Sequence, residues 1–428
     1  MSCPRLAWPD DDSHNGELYE MHRVGGSTLV DCASDFTKRD RANTRGSTVR
    51  TVLVVAAGGL EHGGGIGRQM GYFLRAQQQT EQRLRYQVVD PRGPWYLAES
   101  PRHVIGAAIY FGRAILTLSR ACLASPCVAH INVAGRGSTI RKIILLTIGR
   151  ALGLRYVLHL HDSDYAEYYR SQGTFLKKLI ATMFRRAAAV VVLGRRDLEV
   201  VSQLLQLSKD RITVLHNAVP DPGPNPDRRR IPGTPCRLLF LGHLGTRKGV
   251  PDLLMALASP AVKHLRWQAT LAGGGPIDEY RNLAKDLGIL DSVCFPGWLD
   301  EARASELCAN SDVLVLPSYA EGLAMSVLEG LSHGLAVITT PVGAHLEVIE
   351  PEVSGILVQP GDIAALADAL VRVIQDESLR NRLARGARDR FLEKFDVRGY
   401  AARLEQLHAD LFTPQLDHLK PVEKELKS

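Results

Sequence analysis

Two glutamates, Glu321 and Glu329, stand eight positions apart in the stretch AEGLAMSVLEGLSHG, and a glycine follows each. A carboxylate has two acceptor oxygens, which suits a vicinal diol on a ribose or a hexose. Either residue would also sit well near a helix N-terminus for purely structural reasons. The preceding SDVLVLPS reads as a buried strand, so Glu321 is expected to end that strand. A helix from about Ala324 or Met325 then carries Glu329 on its second turn. In continuous helix the two side chains would diverge by about 80°. With Glu321 in the loop before the helix, it can project over a cleft instead. The backbone N–H groups between them, those of Gly322, Leu323 and Ala324, would point at a ligand.

A second candidate is FLGHLGTRKGVPDLLMAL, read as strand, loop and helix. Lys248 and Gly249 open the helix and Arg247 precedes them. A helix N-terminus with two cations suits a diphosphate. The same residues would serve an ordinary strand–helix turn with solvated charges. In LEHGGGIGRQM, Gly63, Gly64, Gly65 and Gly67 depart from the Gly-x-Gly-x-x-Gly spacing of dinucleotide sites. Such a turn still lets backbone approach a phosphate or sugar closely. In LHLHDSDYAEYY, His159 and His161 face one side of a strand. His159 reads as a buried core histidine.

Positioning these groups requires alternating strands and helices. TVLVVAAGG, YQVVD, VAHINV, RYVLHLH, AAVVVLG and ITVLHN read as strands separated by helical stretches. Asn217–Cys236 is dense in Pro, Gly and Asp and reads as a linker. Beyond it the pattern restarts with RLLFLG, QATLAGGG, VCFPGW, VLVLPS, AVITT and GILVQP. The expectation is an α/β fold of two doubly wound parallel sheets whose strand ends face a common cleft. Its parts are a poorly ordered extension at 1–46, a first domain at 47–222 and a second domain at 235–395. A helix at about 396–412 packs back on the first domain, and 413–428 form a tail.

The chain has 428 residues and is 45% apolar, the composition of a soluble globular protein with room for two cores. VIGAAIYFGRAILTLSRACLAS is the nearest thing to a spanning segment, and Arg113 and Arg120 interrupt it. The N-terminus lacks a signal-peptide core. Seven cysteines without Cys-x-x-Cys spacing fit a reducing cytosol and argue against a zinc site. The net charge of +6 is uneven: −3 over 1–44, +14 over 45–220 and −5 over 221–428. An excess of that size points to a polyanionic partner. The aromatic and basic platforms of RNA or single-strand binders are not apparent, so no nucleic-acid partner is expected. Thr174–Val190 carries Lys177, Lys178, Arg185 and Arg186 and no acid. Its apolar residues, Phe175, Leu176, Leu179, Ile180, Met183 and Phe184, recur at helical spacing. It reads either as a core-facing helix with a solvated basic face or as a helix on an anionic membrane. The charge excess favours the second, so a peripheral contact with the inner membrane face is expected of a cytoplasmic protein.

EGLAMSVLE resembles the Glu–seven residues–Glu signature of the retaining glycosyltransferases of family 4, which have the GT-B fold. LGHLGTRKGVPDLL, LAGGGP, CFPGWL and the long run from PSYAEGLAMSVLEG to AHLEVI follow that family's donor domain in order. The resemblance spans about residues 49 to 412. It implies that Glu329 holds the ribose hydroxyls, Glu321 contacts the transferred sugar and Lys248 meets the diphosphate. It places the glycine loop, with Gly64 and Gly65, over the donor phosphates, with Gly274 of LAGGGP also at the donor. It puts His161 at the cleft, bonded to the transferred sugar. The turn with Gly297, Trp298 and Leu299 would frame the base. Most members have Arg where this chain has His243, so Arg247 or a protonated His243 would supply the second diphosphate charge. Many members act on lipid-linked acceptors, so a glycan or polyprenyl-linked acceptor is implied.

The implied reaction is transfer of a sugar from a nucleotide diphosphate sugar with retention, with no cofactor and no metal. Asp162-Ser-Asp164 looks superficially like the metal-binding Asp-x-Asp of the other glycosyltransferase fold, which the two halves do not match. No pair of flanking carboxylates for water attack is present, which argues against hydrolysis. A sugar-nucleotide epimerase or phosphorylase on the same fold, and a non-catalytic nucleotide-binding protein, are the alternatives.

Overall fold

A computed structural model describes residues 50–60, 64–79, 84–93, 101–223 and 233–413. The expected extension at 1–46, Gly63, the centre of the linker and the tail beyond Thr413 lie outside the described residues. The first half runs β1 (Thr51–Val55), α1 (Gly64–Gln78), β2 (Arg85–Val89), α2 (Pro101–Ala124), β3 (Cys127–Val133) and α3 (Gly137–Ala151). It continues with β4 (Arg155–Leu160), α4 (Tyr165–Ser171), α5 (Thr174–Arg185), β5 (Ala189–Val192), α6 (Arg195–Leu205) and β6 (Ile212–Val214). The second half runs β7 (Cys236–Leu241), α7 (Val250–Ala258), α8 (Pro260–Lys263), β8 (Trp267–Ala272), α9 (Ile277–Asp286), β9 (Val293–Gly297) and α10 (Glu301–Ala309). Then come β10 (Val313–Leu316), α11 (Met325–Ser332), β11 (Ala336–Thr339), α12 (His345–Val348), β12 (Gly355–Leu357), α13 (Ile363–Gln375), α14 (Glu377–Lys394) and α15 (Val397–Asp410).

Each half builds a six-stranded sheet, ordered β2-β1-β3-β4-β5-β6 and β12-β11-β10-β7-β8-β9, and every pairing is parallel. The inner strands are short runs of β-branched and aliphatic residues buried on both faces, β1, β5, β10 and β11 at every position, while the edge strands β2 and β9 are partly exposed. Only a sheet covered on both faces by helices uses such runs. The order reverses between β1 and β3 in the first sheet and between β7 and β10 in the second. At such switch points the loops leave toward opposite faces and open a crevice at the strand ends.

The apolar face of α5 meets the core. Ile180, Ala181, Met183 and Phe184 are buried and Leu176 packs on them, leaving Phe175 exposed. The reading of α5 as a helix lying on a membrane is therefore corrected: its apolar stripe is already occupied.

The chain returns to the first half at its end. Val219 N–H donates to Phe395 O at 3.1 Å, and Val397 N–H donates to Val219 O at 3.0 Å. Helix α15 then seats on α1, where Gln77 Nε2 donates to Ala401 O and the rings of Phe73 and Tyr400 meet edge to face. Beneath it runs a chain of buried rings. Tyr86 Oη is 3.3 Å from His408 Nδ1, His408 Nε2 is 3.0 Å from His130 Nδ1, and His130 Nε2 is 3.3 Å from His159 Nδ1. A neutral imidazole supplies one donor and one acceptor, so the three histidines must share one head-to-tail proton order. Burial pushes His130 down to about 4 and holds His159 and His408 well below the usual histidine range.

These folded values lie below the unfolded one. The stability they contribute is therefore full above pH 6.5 and is lost as pH falls toward 4, at about 1.4 kcal/mol per pH unit per histidine. The melting temperature should fall between pH 6.5 and 4.5 more steeply in wild type than in His408→Phe. Parallel profiles would show that the ring chain is not neutral in the fold.

Candidate functional site

The switch point of the second sheet brings two loops together. The loop after β7 tightens into a single turn, Thr246–Lys248, before α7. Strand β10 ends at Leu316, so Glu321 does not end the strand as expected; Pro317–Ala320 come between. Glu321 Oε1 lies 2.5 Å from Lys248 Nζ, with side chains only 9% and 14% exposed. The contact is an ion pair without hydrogen-bond alignment, because Glu321 Oε1 has no hydrogen-bond partner. That oxygen is buried against the ammonium and is held there by charge. Arg247 braces the same loop: its Nη1 donates to Ala320 O at 2.7 Å and lies 4.0 Å from Glu321 Oε2.

Glycines allow these loops to close on each other. At Gly249 (φ 69°) a Cβ would fall 2.1 Å from Pro317 O. At Gly343 (φ 55°) it would fall 2.1 Å from Glu321 O and 2.2 Å from Gly322 O. Neither position admits another residue without moving the Glu321 loop.

Glu329 is on α11, whose first turn is preceded by Ala324, as the sequence led us to expect. Its partner comes from the other half. Arg68 Nη1, on α1, lies 2.9 Å from Glu329 Oε1, and Tyr72 Oη is 3.5 Å away. The sequence reading missed Arg68. It directly follows the glycine run, yet nothing local indicates that it meets a carboxylate 261 residues later. Gly64 and Gly65 are exposed first residues of α1, and a Cβ on Gly65 would meet nothing within 4 Å. The tight position is Gly67, where a Cβ would lie 2.7 Å from Gly59 O.

His161 follows β4, and the two halves meet close to it. A Cβ on Gly322 would lie 3.2 Å from His161 O. Asn132 Nδ2 donates to Val55 O, which turns Asn132 Oδ1 toward His161 Nε2 at 2.8 Å. His161 therefore carries its proton on Nε2 and presents Nδ1 as an acceptor. The ring stacks on His159, centroids 4.0 Å apart. Burial, then the charges of His130 and Lys142, push its pKa down to about 3, so it is neutral at pH 7. Asp162 staples loops: it accepts from Gly135 N–H at 2.7 Å and from Asp164 N–H at 3.0 Å.

The remaining expected residues are more peripheral. His243 is exposed on the loop after β7. Gly274 O accepts from Leu244 N–H at 2.7 Å, tying the loops after β7 and β8 together. Trp298 stands 72% exposed after β9, while Leu299 packs on the core. Among the described residues no group of three His, Cys, Asp or Glu side chains could hold a metal ion.

Residues 224–390 match the family described as glycosyl transferases group 1. A curated relative, glycogen synthase from Mycobacterium tuberculosis, is 30% identical over 210 residues, 49% of this chain and 50% of that protein. The chain thus spans about half the length of that relative. The fold is similar to sucrose-phosphate synthase from Thermosynechococcus elongatus, with a TM-score of 0.67 and 19% identity over 85% of this chain and 99% of that one. It is also similar to HepE from Anabaena in complex with UDP-glucose, with a TM-score of 0.64 and 16% identity over 84% of this chain and 99% of that one.

Removing one partner of a buried ion pair strands the other charge, at a cost of about 3 kcal/mol or more. Lys248→Met should lower the unfolding free energy by that amount, and adding Glu321→Gln should restore most of it. Additive losses in a denaturant-unfolding cycle would show that the two charges do not depend on each other.

Proposed function

We propose that this chain, which belongs to the group 1 glycosyltransferases and shares the GT-B fold, moves a sugar from a nucleoside diphosphate donor to an acceptor hydroxyl with retention at the anomeric carbon. The observation that carries this reading is the Glu321–Lys248 pair at the switch point of the second sheet, with Glu329 on the helix behind it. A diphosphate at the loop after β7 would draw Lys248 from Glu321, and Arg247 would add a second charge. The ribose diol would take Glu329 in place of Arg68. Freed of Lys248, Glu321 would accept from hydroxyls of the sugar, and His161 Nδ1 would accept another.

The C1–phosphate bond breaks as the C1–acceptor bond forms on the same face, and the acceptor proton passes to the departing phosphate oxygen. Fixed cations and N–H groups at that oxygen stabilise the charge developing there without reorganising. They supply what a divalent ion would otherwise supply, so the reaction needs no added metal. The name of the glycogen synthase relative supports a glycan acceptor. HepE, whose structure contains UDP-glucose, makes UDP-sugars the first donors to try.

The acceptor side of the reading includes an anionic membrane, and helix α2 supports it better than α5. Ile105, Ile109, Leu116 and Leu123 are exposed large apolar residues of α2. At 100° per residue they fall within about 40° of one another, a stripe about 27 Å long. Arg113 and Arg120 are exposed beside it, and the helix contains no acid. Ala114 and Leu118 on the opposite side are buried in the first core, so α2 suits lying on a surface rather than crossing it.

A thermal-shift panel of UDP-, GDP-, ADP- and dTDP-sugars in chelator should give one responder. Ligand at a hundred times its dissociation constant adds about 2.7 kcal/mol. Glu329→Ala should cost about 1.5–3 kcal/mol of affinity for the free nucleotide, and Glu321→Ala should reduce turnover with little change in that affinity. Equal losses in both quantities for both variants would mean that the two roles are misassigned; activity only with Mn²⁺ or Mg²⁺ would refute the metal-free reading.

The full chain should co-sediment with vesicles containing anionic lipid at low salt and release at high salt, and Ile109→Glu with Leu116→Glu should abolish the binding. Wild type that ignores such vesicles at low salt would point to a soluble acceptor.

A further inference from the structure

The strand ends of the first sheet hold a second charged cluster that the donor chemistry leaves unused. It surrounds the switch point between β1 and β3, where open parallel sheets receive ligands. Lys142, on α3 just after β3, is 1% exposed. Its Nζ donates to Ser138 Oγ at 2.8 Å, one turn nearer the start of the helix. Helical side chains lean toward the N-terminus, so this ammonium leans toward the strand ends. Arg141 is half-buried beside it, and Arg141 Nε is buried with no hydrogen-bond partner.

The cluster is rich in positive charge and poor in negative charge. Burial, then the charges of Arg141 and Arg92, push Lys142 down to about 7. Asp90 is the carboxylate that acts against them. Its Oδ1 already accepts from the N–H groups of Gly58, Arg92 and Gly93. Residues 101–161 hold eight Lys or Arg and no Asp or Glu, and the next acid, Asp162, already accepts from the N–H groups of Gly135 and Asp164. A buried ammonium bonded only to a neutral hydroxyl is costly. Cations at the start of a helix are disfavoured again by its dipole. An anion in the cluster removes both costs.

The location says which anion. Lys142 is close enough to His161 to depress it. The loop after β3 is tied to the loop after β4 through Gly135 N–H and Asp162. The cluster therefore borders the place where the acceptor meets the donor sugar. We propose that Lys142, Arg141 and Arg92, with Ser138, bind a phosphate group carried by the acceptor. The role assigned to that phosphate rests on the transfer reading; its binding does not. The phosphate belongs either to a lipid carrier or to a soluble sugar phosphate.

Calorimetric titration of the full chain with inorganic phosphate reads the site without turnover, so a failed transfer reading would leave the result interpretable. Arg141→Gln should weaken phosphate binding by about tenfold or more, equivalent to about 1.4 kcal/mol. The double variant Lys248→Met with Glu321→Gln, which removes the buried one of the two donor-side cations, should retain a phosphate site at the wild-type affinity. Lys142→Met should also lose that binding while melting no lower than wild type. Binding that vanishes in the donor-side variant and persists in Arg141→Gln overturns the proposal, as does wild type that binds no phosphate.

Competition then separates the sources. Displacement of phosphate by phosphatidylcholine vesicles containing phosphatidic acid, dependent on Arg141, identifies a lipid phosphate. Arg141-dependent displacement by glucose 1-phosphate identifies a soluble one. Displacement by neither overturns the proposal.

Discussion

A carboxylate and an ammonium share a nearly dry corner where the second sheet reverses direction, and the surrounding loops are shaped to keep them there. Glu321 and Lys248 come from loops after strands that are adjacent in the sheet yet far apart in sequence. The buried pair survives only if both loops hold their positions. Gly249 under Pro317 and Gly343 under Glu321 and Gly322 provide the close approach, and Arg247 ties the loops across the top. Taking two charges out of water is expensive, so such a pair is weak evidence of stability and better evidence of a use for the charges. In the proposed reaction a diphosphate would offer Lys248 a stronger partner and leave Glu321 free to accept hydrogen bonds.

The first half is coupled to that corner by polar contacts as well as by an apolar cluster in which Leu193, Leu215 and Ala218 join Leu323, Ala324 and Ala344. Arg68 grips Glu329, Gly322 rests near His161 O, and Asn217 Nδ2 donates to Leu323 O at 3.0 Å. A ligand that takes Glu329 must displace Arg68, so occupancy of the proposed donor site would change what holds the halves together. Behind His161, neutral rings pass from β4 through His130 to His408 on α15. The returning helix thus helps fix the face on which the cleft histidine stacks.

The strands were legible because fully buried parallel strands leave a local mark, a short β-branched run ended by glycine or a polar residue. All six runs read in each half correspond to strands β1 to β12. Glu321, Glu329 and Lys248 were legible by type and spacing, and the end of β10 was misplaced although Pro317 and Ser318 mark it. What failed were statements about the far partner. An amphipathic helix has one pattern whether its apolar face meets a core or a bilayer, and α5 meets the core. The segment that became α2 was weighed only as a membrane span, and the two arginines that interrupt it are the ones that flank its exposed stripe. Arg68, His130 and His408 could not be assigned from sequence, since each acts through a residue distant in the chain.

The donor is proposed to occupy the corner between the loops after β7 and β10. A crystal structure of the full chain with the nucleotide sugar selected by thermal shift tests it most directly. The diphosphate should lie on Lys248 and Arg247, the ribose diol on Glu329 with Arg68 displaced, and the sugar between Glu321 and His161. A nucleotide bound elsewhere, with Arg68 still on Glu329 and Lys248 still on Glu321, would contradict it.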